Sequence, residues 1–359
     1  MKIRTKNAIA THNPVIHGGK FSAGNRDPSI VDFSSNISPI GMPASVKSIL
    51  KTKLSSMKDY PDLYSTDLIS GLKKYTGISE SNLIVGNGAI ELIYNFCSSF
   101  LSKKQVLIPV PTFGEYESAS KLANCKITFF KTMNIAENFD SFISKIPRNG
   151  CVFICNPNNP TGTILSKNQL TKIILSAKHK SSFVFIDECF IELVPKSNQS
   201  VLNLVKKHDN LFVLRSLTKS FGLAGIRIGY AAASKQIIDI LKKIKIPWSV
   251  NTLAQEAGIV AIKNTSHIKK SKFVIKKEFN FLKSHIDNIP NFECYDSSTN
   301  FILIKIKQDS TKLQKKLLKH KILIRDCKNF RGLNNHFIRI AIKSHKDNLK
   351  LVKVLEKIS

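Results

Sequence analysis

From residue 80 onward, short β-rich runs and helical periods take turns. NLIVGNG is followed by AIELIYNFCSSFL, QVLIPVP by FGEYESASKLA, and KITFFKT by NFDSFISKI. The alternation continues through CVFICNPNNPTG, a helix after Ser166, FVFIDECF, LFVLRS and IRIGYAAAS, and reaches a helix from Lys235. Strands separated by helices join in parallel, with the helices covering both faces of the sheet, so the pattern predicts an α/β fold with a mainly parallel central sheet in a large domain. In such sheets ligands gather beyond the carboxyl ends of the strands. After PWSVNTLAQ, at 247–255, long amphipathic helices take over, followed by FILIKIK and HFIRIAIK with a helix and loop between them. That change predicts a smaller α+β domain. The expected divisions are 51–250 for the large domain, 251–359 for the small one, and 1–50 as an N-terminal segment that associates with the small domain, since it has little periodicity of its own.

Four loops fall at the predicted strand ends: GNGAIE at 86–91, NPNNPTG at 156–162, DECF at 187–190 and SLTK at 216–219. GNGAIE opens a helix, so Gly86 and Gly88 serve either a turn or a phosphate held by the bare N–H groups of the helix start. NPNNPTG has the composition of tight bends, yet Pro160 fixes the backbone of Asn159 so that its amide can be aimed at a ligand oxygen. Asp187 ends the apolar run VFID, where an isolated carboxylate is costly unless it meets a cation or caps a helix. Lys219 stands in LRSLTKSFGLAGIRIGY, among small, aromatic and aliphatic residues. It is either a surface lysine or a desolvated one. A desolvated lysine near a second cation, here Arg227, loses proton affinity and can form a Schiff base with an aldehyde. Ser216 adds a hydroxyl, and the group suits an anion held beside a reactive amine. The aldehyde inferred is pyridoxal phosphate, whose ring acts as an electron sink when a carboxylate keeps its nitrogen protonated. Of these residues, Asp187 is the one suited to that place.

These motifs resemble those of the fold type I pyridoxal-phosphate enzymes, over nearly the whole chain. The resemblance implies that Lys219 is the Schiff-base lysine, that Asp187 pairs with the pyridine nitrogen and that Asn159 hydrogen-bonds the ring hydroxyl. It also implies that Phe113, in PVPTFGEY, stacks on the ring, and that Gly88, Ala89, Ser216 and Arg227 form the phosphate cup. Tyr60, in YPDLY, is expected to reach across from a partner subunit, which makes the chain a homodimer. Arg339, in HFIRIAIK, matches the arginine that binds a substrate anion.

Within that family, HGGKF at 17–21, DFSSNISPIG at 32–41, PWSVN at 247–251 and IRDCKNFRGL at 324–333 are more similar to the threonine-phosphate decarboxylases of cobalamin biosynthesis than to the histidinol-phosphate aminotransferases. The aminotransferases typically show a DEAY-type segment where this chain has DECF, so Phe190 removes a phenol that would contact the ring hydroxyl; a neutral packing swap is the other reading. A decarboxylase must hold its substrate with the carboxylate out of the ring plane, so strong anion clamps should grip the phosphate. His17, Asn36, Arg325, Arg331 and Arg339 are the candidates, because arginine matches phosphate and carboxylate bidentately. Arg331 is alternatively a surface loop residue, and His17 alternatively a structural contact of the N-terminal segment. The substrate implied is a small phosphorylated amino acid, with histidinol phosphate as the competing one.

The net charge of +30 would suit nucleic acid if it were concentrated. Its densest stretches, at 267–285 and 311–321, instead interleave lysines with apolar residues at helical spacing, as solvated helix faces do. A nucleic-acid partner is therefore not expected. Seven scattered cysteines without a CxxC pair fit a reduced cytoplasm better than a disulfide framework or a zinc site. No run reaches the ~18 to 20 apolar residues of a membrane span.

Overall fold

The structure, a computed structural model, describes residues 7–195 and 198–358. A two-residue strand, β1 (Val31–Asp32), pairs with one of the later strands described below. The large sheet follows: β2 (Leu83–Asn87), β3 (Gln105–Val110), β4 (Lys126–Lys131), β5 (Cys151–Cys155), β6 (Phe183–Asp187), β7 (Leu211–Ser216) and β8 (Ile228–Ala233), in the spatial order β2-β8-β7-β6-β5-β3-β4. The links from β7 through β6, β5 and β3 to β4 are all parallel, as the alternation predicts, whereas β8 runs antiparallel to both of its neighbours. The reason lies in its connection. Residues 217–227 hold one four-residue helical turn, Leu217–Ser220, and are too short to carry the chain back across the sheet for a parallel return.

Side-chain alternation gives the sheet two unlike faces. Val184, Ile186, Leu211 and Val213 join an aliphatic core on one face. Phe153, Phe185, Phe212 and Leu214 join an aromatic core with Phe96 and Tyr116 on the other. By the same alternation Asp187 and Ser216 emerge on the aromatic side, where the candidate site lies. Helix Thr252–Ile262 packs on the aliphatic side with Val46, Leu68 and Leu72, so this core takes in residues on both sides of the divisions expected at 50 and 250. Small residues permit that packing: a Cβ on Gly258 would lie 2.9 Å from Leu68 Cδ1.

The C-terminal strands are β9 (Phe292–Cys294), β10 (Phe301–Ile306), β11 (Ile322–Leu323), β12 (Arg325–Asp326) and β13 (Phe337–Ala341). Four of them form an antiparallel sheet in the order β12-β13-β10-β9, while β11 pairs in parallel with β1. Phe33 extends the link: its N–H donates to Leu323 O at 2.7 Å, and its carbonyl accepts from Ala341 N at 2.8 Å. Among the described residues no helix is long and apolar enough to cross a membrane.

Candidate active site

A cavity of about 940 Å³ opens where the carboxyl ends of β6 and β7 face the C-terminal sheet and the segment around residues 12–18. Lys219 lines it from the helical turn after β7, a turn capped by Ser216 Oγ, which accepts Thr218 N–H at 3.2 Å. Burial pulls the Lys219 amine down to about 8, helped by the Arg339 and Arg227 guanidiniums and opposed by Asp187. Phe190 presents its ring 5.9 Å from Lys219 Nζ, and its edge packs on Phe301.

Asp187 ends β6 nearly closed from solvent. Burial raises its proton affinity, while two donors oppose this: Cys189 N–H reaches Oδ1 at 2.8 Å and the Tyr116 hydroxyl reaches Oδ2 at 2.7 Å. Tyr116 is fixed in turn, stacked on Phe153 at 5.2 Å and set edge-on to Phe113 at 5.7 Å. Phe113 lines the same cavity.

Asn159 is held by Arg339, whose Nη1 donates to Asn159 Oδ1 and whose Nη2 donates to Ser34 O at 2.8 Å. Burial brings Arg339 down to about 10. Its Nε and the side-chain oxygen of Asn36 are buried without a protein partner, and both residues line the cavity. Such orphaned groups are costly unless a ligand meets them.

The helix Gly88–Phe100 starts at the cavity, with Ala89 in its wall. Gly88 has φ +74°, and a Cβ there would lie 3.0 Å from Arg227 Cζ. Gly229 lets β8 approach: a Cβ on it would meet Ala89 N at 2.5 Å. Arg227 itself has φ +62° and donates to Ala224 O at 3.1 Å. The result is a helix start with free N–H groups flanked by Ser216 and a guanidinium, the surroundings that suit a phosphate. A phosphate cradle, an aromatic face, a buried carboxylate and an amine of lowered proton affinity around one cavity fit pyridoxal phosphate.

The remaining sequence candidates divide. Arg325 lines the cavity, with Nη2 shared between Ile16 O at 2.7 Å and Asn329 Oδ1 at 2.9 Å. His17 lies 5.9 Å from Phe113 and bonds Glu115 Oε1 at 2.6 Å. Arg331 reaches the cavity rim, but its fork grips both oxygens of Glu117 at 2.7 Å over the ring of Phe129, so in this structure the guanidinium is already occupied. Tyr60 stands outside its own chain's cavity, 81% exposed, with its ring 4.9 Å from Trp248. Sequence reading missed Tyr116, whose signal was its place three residues after Phe113. It also missed Glu115 and the wall formed by residues 12–16, whose stretch has no periodicity to reveal it.

The family description "Aminotransferase class I and II" matches residues 28–358. Over 326 residues, 89% of this chain and 88% of the relative, the sequence is 38% identical to a protein of Caldanaerobacter subterraneus subsp. tengcongensis provisionally named a threonine-phosphate decarboxylase. Over 337 residues, covering 92% of this chain and 90% of the relative, it is 32% identical to a histidinol-phosphate aminotransferase of Methanococcus aeolicus. Among solved structures, the L-threonine-O-3-phosphate decarboxylase of Porphyromonas gingivalis matches with a TM-score of 0.82 at 25% identity, over 91% of this chain and 99% of that one. With the match running through nearly every element that builds the cavity, the chain belongs to the aminotransferase class I and II family.

Proposed function

We propose that this chain is a pyridoxal-phosphate enzyme that removes CO2 from L-threonine O-3-phosphate and leaves (R)-1-aminopropan-2-yl phosphate, a step serving cobalamin biosynthesis in the cytoplasm. The observation that carries the choice of reaction is the neighbourhood of Lys219. Among the described residues no tyrosine lines the chain's own cavity, and the place beside the amine is taken by Phe190. The buried phenol of Tyr116 is committed to Asp187. Transamination must protonate and later deprotonate carbon next to the ring, which a phenol near the amine assists. Decarboxylation needs one proton returned to Cα.

When bound, pyridoxal phosphate supplies an aldehyde for the substrate amine and a ring that accepts the electron pair left by the departing carboxylate. Asp187, oriented by the Tyr116 hydroxyl and the Cys189 N–H, would face the ring nitrogen and hold its proton. Asn159, steadied by Arg339, would bond the ring hydroxyl. Ala89, Ser216 and Arg227, with Gly88 clearing the way, would hold the cofactor phosphate. Arg339, Arg325, Asn36 and His17 would grip the substrate's anions and fix the orientation in which its carboxylate is presented. Lys219, with its amine near 8, holds a proton on Nζ in most molecules at neutral pH and can deliver it to Cα.

Amino transfer from histidinol phosphate is the second reading, favoured by the 32% identical relative of Methanococcus aeolicus. One purified sample separates the two. CO2 release from O-phosphothreonine without any added 2-oxo acid is expected to dominate. Amino transfer from histidinol phosphate to 2-oxoglutarate, with no CO2 from O-phosphothreonine, would overturn the proposal.

A further inference from the structure

On the aliphatic face of the sheet, opposite the cavity, lies a buried charged cluster that the reaction above does not use. Arg215 Nε donates to Glu188 Oε2 at 2.8 Å, Nη1 approaches Glu192 Oε1 at 3.4 Å, and Nη2 donates to Ser200 Oγ at 2.8 Å. Ser200 also donates to Glu188 Oε2, and Tyr75 donates to Glu192 Oε1 at 2.8 Å. Lys272, on helix Thr265–Ile286, lies within electrostatic reach of Glu192. The Glu188 side chain is 0% exposed and that of Arg215 9%. None of these residues lines the cavity.

A buried ion pair is a poor way to stabilise a fold, since desolvation cancels much of its attraction and apolar side chains of similar size do as well. Its placement suggests another use. Glu188 follows Asp187 directly, and Arg215 precedes Ser216, three residues before Lys219. Asp187 pairs with Leu214 in the sheet, and Glu188 N–H donates to Leu214 O at 2.8 Å, so the ion pair bridges the two strands one residue past that pairing. Pyridoxal phosphate carries its ring nitrogen and its aldehyde carbon on opposite sides of one rigid ring, and the groups that would meet them, Asp187 and Lys219, hang from these two strand ends.

We propose that Arg215 and Glu188 are positioning residues: their ion pair fixes the carboxyl ends of β6 and β7 and thereby sets the spacing of Asp187 and Lys219 across the cofactor ring. This rests on the cofactor reading above. The test uses full-length protein stripped of cofactor and titrated with pyridoxal phosphate, following affinity by fluorescence and the bound cofactor by its absorbance band. Wild type must bind; if it does not, the cofactor reading itself fails. R215M/E188L removes both members of the pair, and Glu192, which loses Arg215, keeps the Tyr75 hydroxyl and the electrostatic reach of Lys272. This variant is expected to melt within a few degrees of wild type but to bind cofactor roughly 10-fold more weakly, with a shifted absorbance band. Wild-type affinity and band in that variant would overturn the proposal. Should the double variant not fold, R215K decides. It keeps the charge but cannot reach Glu188, Glu192 and Ser200 together, so weakened binding supports the positioning role and unchanged binding and band refute it.

Discussion

For single residues, the chemistry turns on what burial does to two opposite charges. A lysine amine brought down to about 8 is protonated in most molecules at pH 7 and mostly free above pH 8. Only the free amine attacks an aldehyde, so the initial rate at which the apoprotein captures pyridoxal phosphate should rise from pH 6.5 and level off above about pH 8. A free lysine would keep gaining to about 10.4. The stability effect has a definite sign. The unfolded chain holds this proton more tightly than the folded one, so below pH 8 Lys219 destabilises the fold, by up to about 3 kcal/mol, and the penalty fades as pH approaches the free-lysine range. Lys219→Met should therefore raise the apoprotein melting temperature at pH 7 and lose that advantage near pH 10. Lys219 and Asp187 could be read from sequence because each is a charge in an apolar run, which has no cheap structural explanation. Tyr116 could not, since an aromatic residue in a helix reads as packing. Nor could the occupation of Arg331, whose partner Glu117 is distant in sequence and is brought near only by the fold.

Among elements, the two-faced sheet does the sorting. Because neighbouring residues on a strand point to opposite faces, 187 and 216 reach the cavity while 188 and 215 reach the opposite core, and a one-residue slip would exchange them. The parallel run from β7 to β4 was legible from alternating strand and helix periods. The reversal of β8 was not, since its strand pattern looks the same in either direction and only the shortness of 217–227 decides it. The start of helix Gly88–Phe100 yields a prediction with an internal control. Gly77 and Gly88 both have positive φ, +71° and +74°, but a Cβ at Gly77 meets nothing within 4 Å whereas one at Gly88 runs into Arg227. Gly77→Ala should cost only backbone strain, on the order of 1 kcal/mol in urea unfolding. Gly88→Ala should cost clearly more, and should in addition weaken binding of cofactor or inorganic phosphate, which Gly77→Ala leaves unchanged.

Across the whole molecule, Leu54, Met57, Tyr60, Tyr64, Ile246 and Trp248 stand largely exposed on two stretches that meet where Tyr60 packs on Trp248. Exposed apolar surface of this kind marks an interaction site, and a second copy that brings its own Tyr60 to the neighbouring cavity is the occupant expected from the sequence. Sedimentation should find a dimer, and since each copy carries +30, the dimer should tighten as added salt screens the repulsion. A fully active monomer would refute it. The attachment of the N-terminal segment has a consequence for how the chain is made. β1 pairs with β11 and Phe33 bonds both β11 and β13, so strands at 322–341 are extended by residues far away in the sequence. During translation, residues 31–33 leave the ribosome long before residues 322–341 do, so through that interval their backbone groups lack the partners they have in the fold.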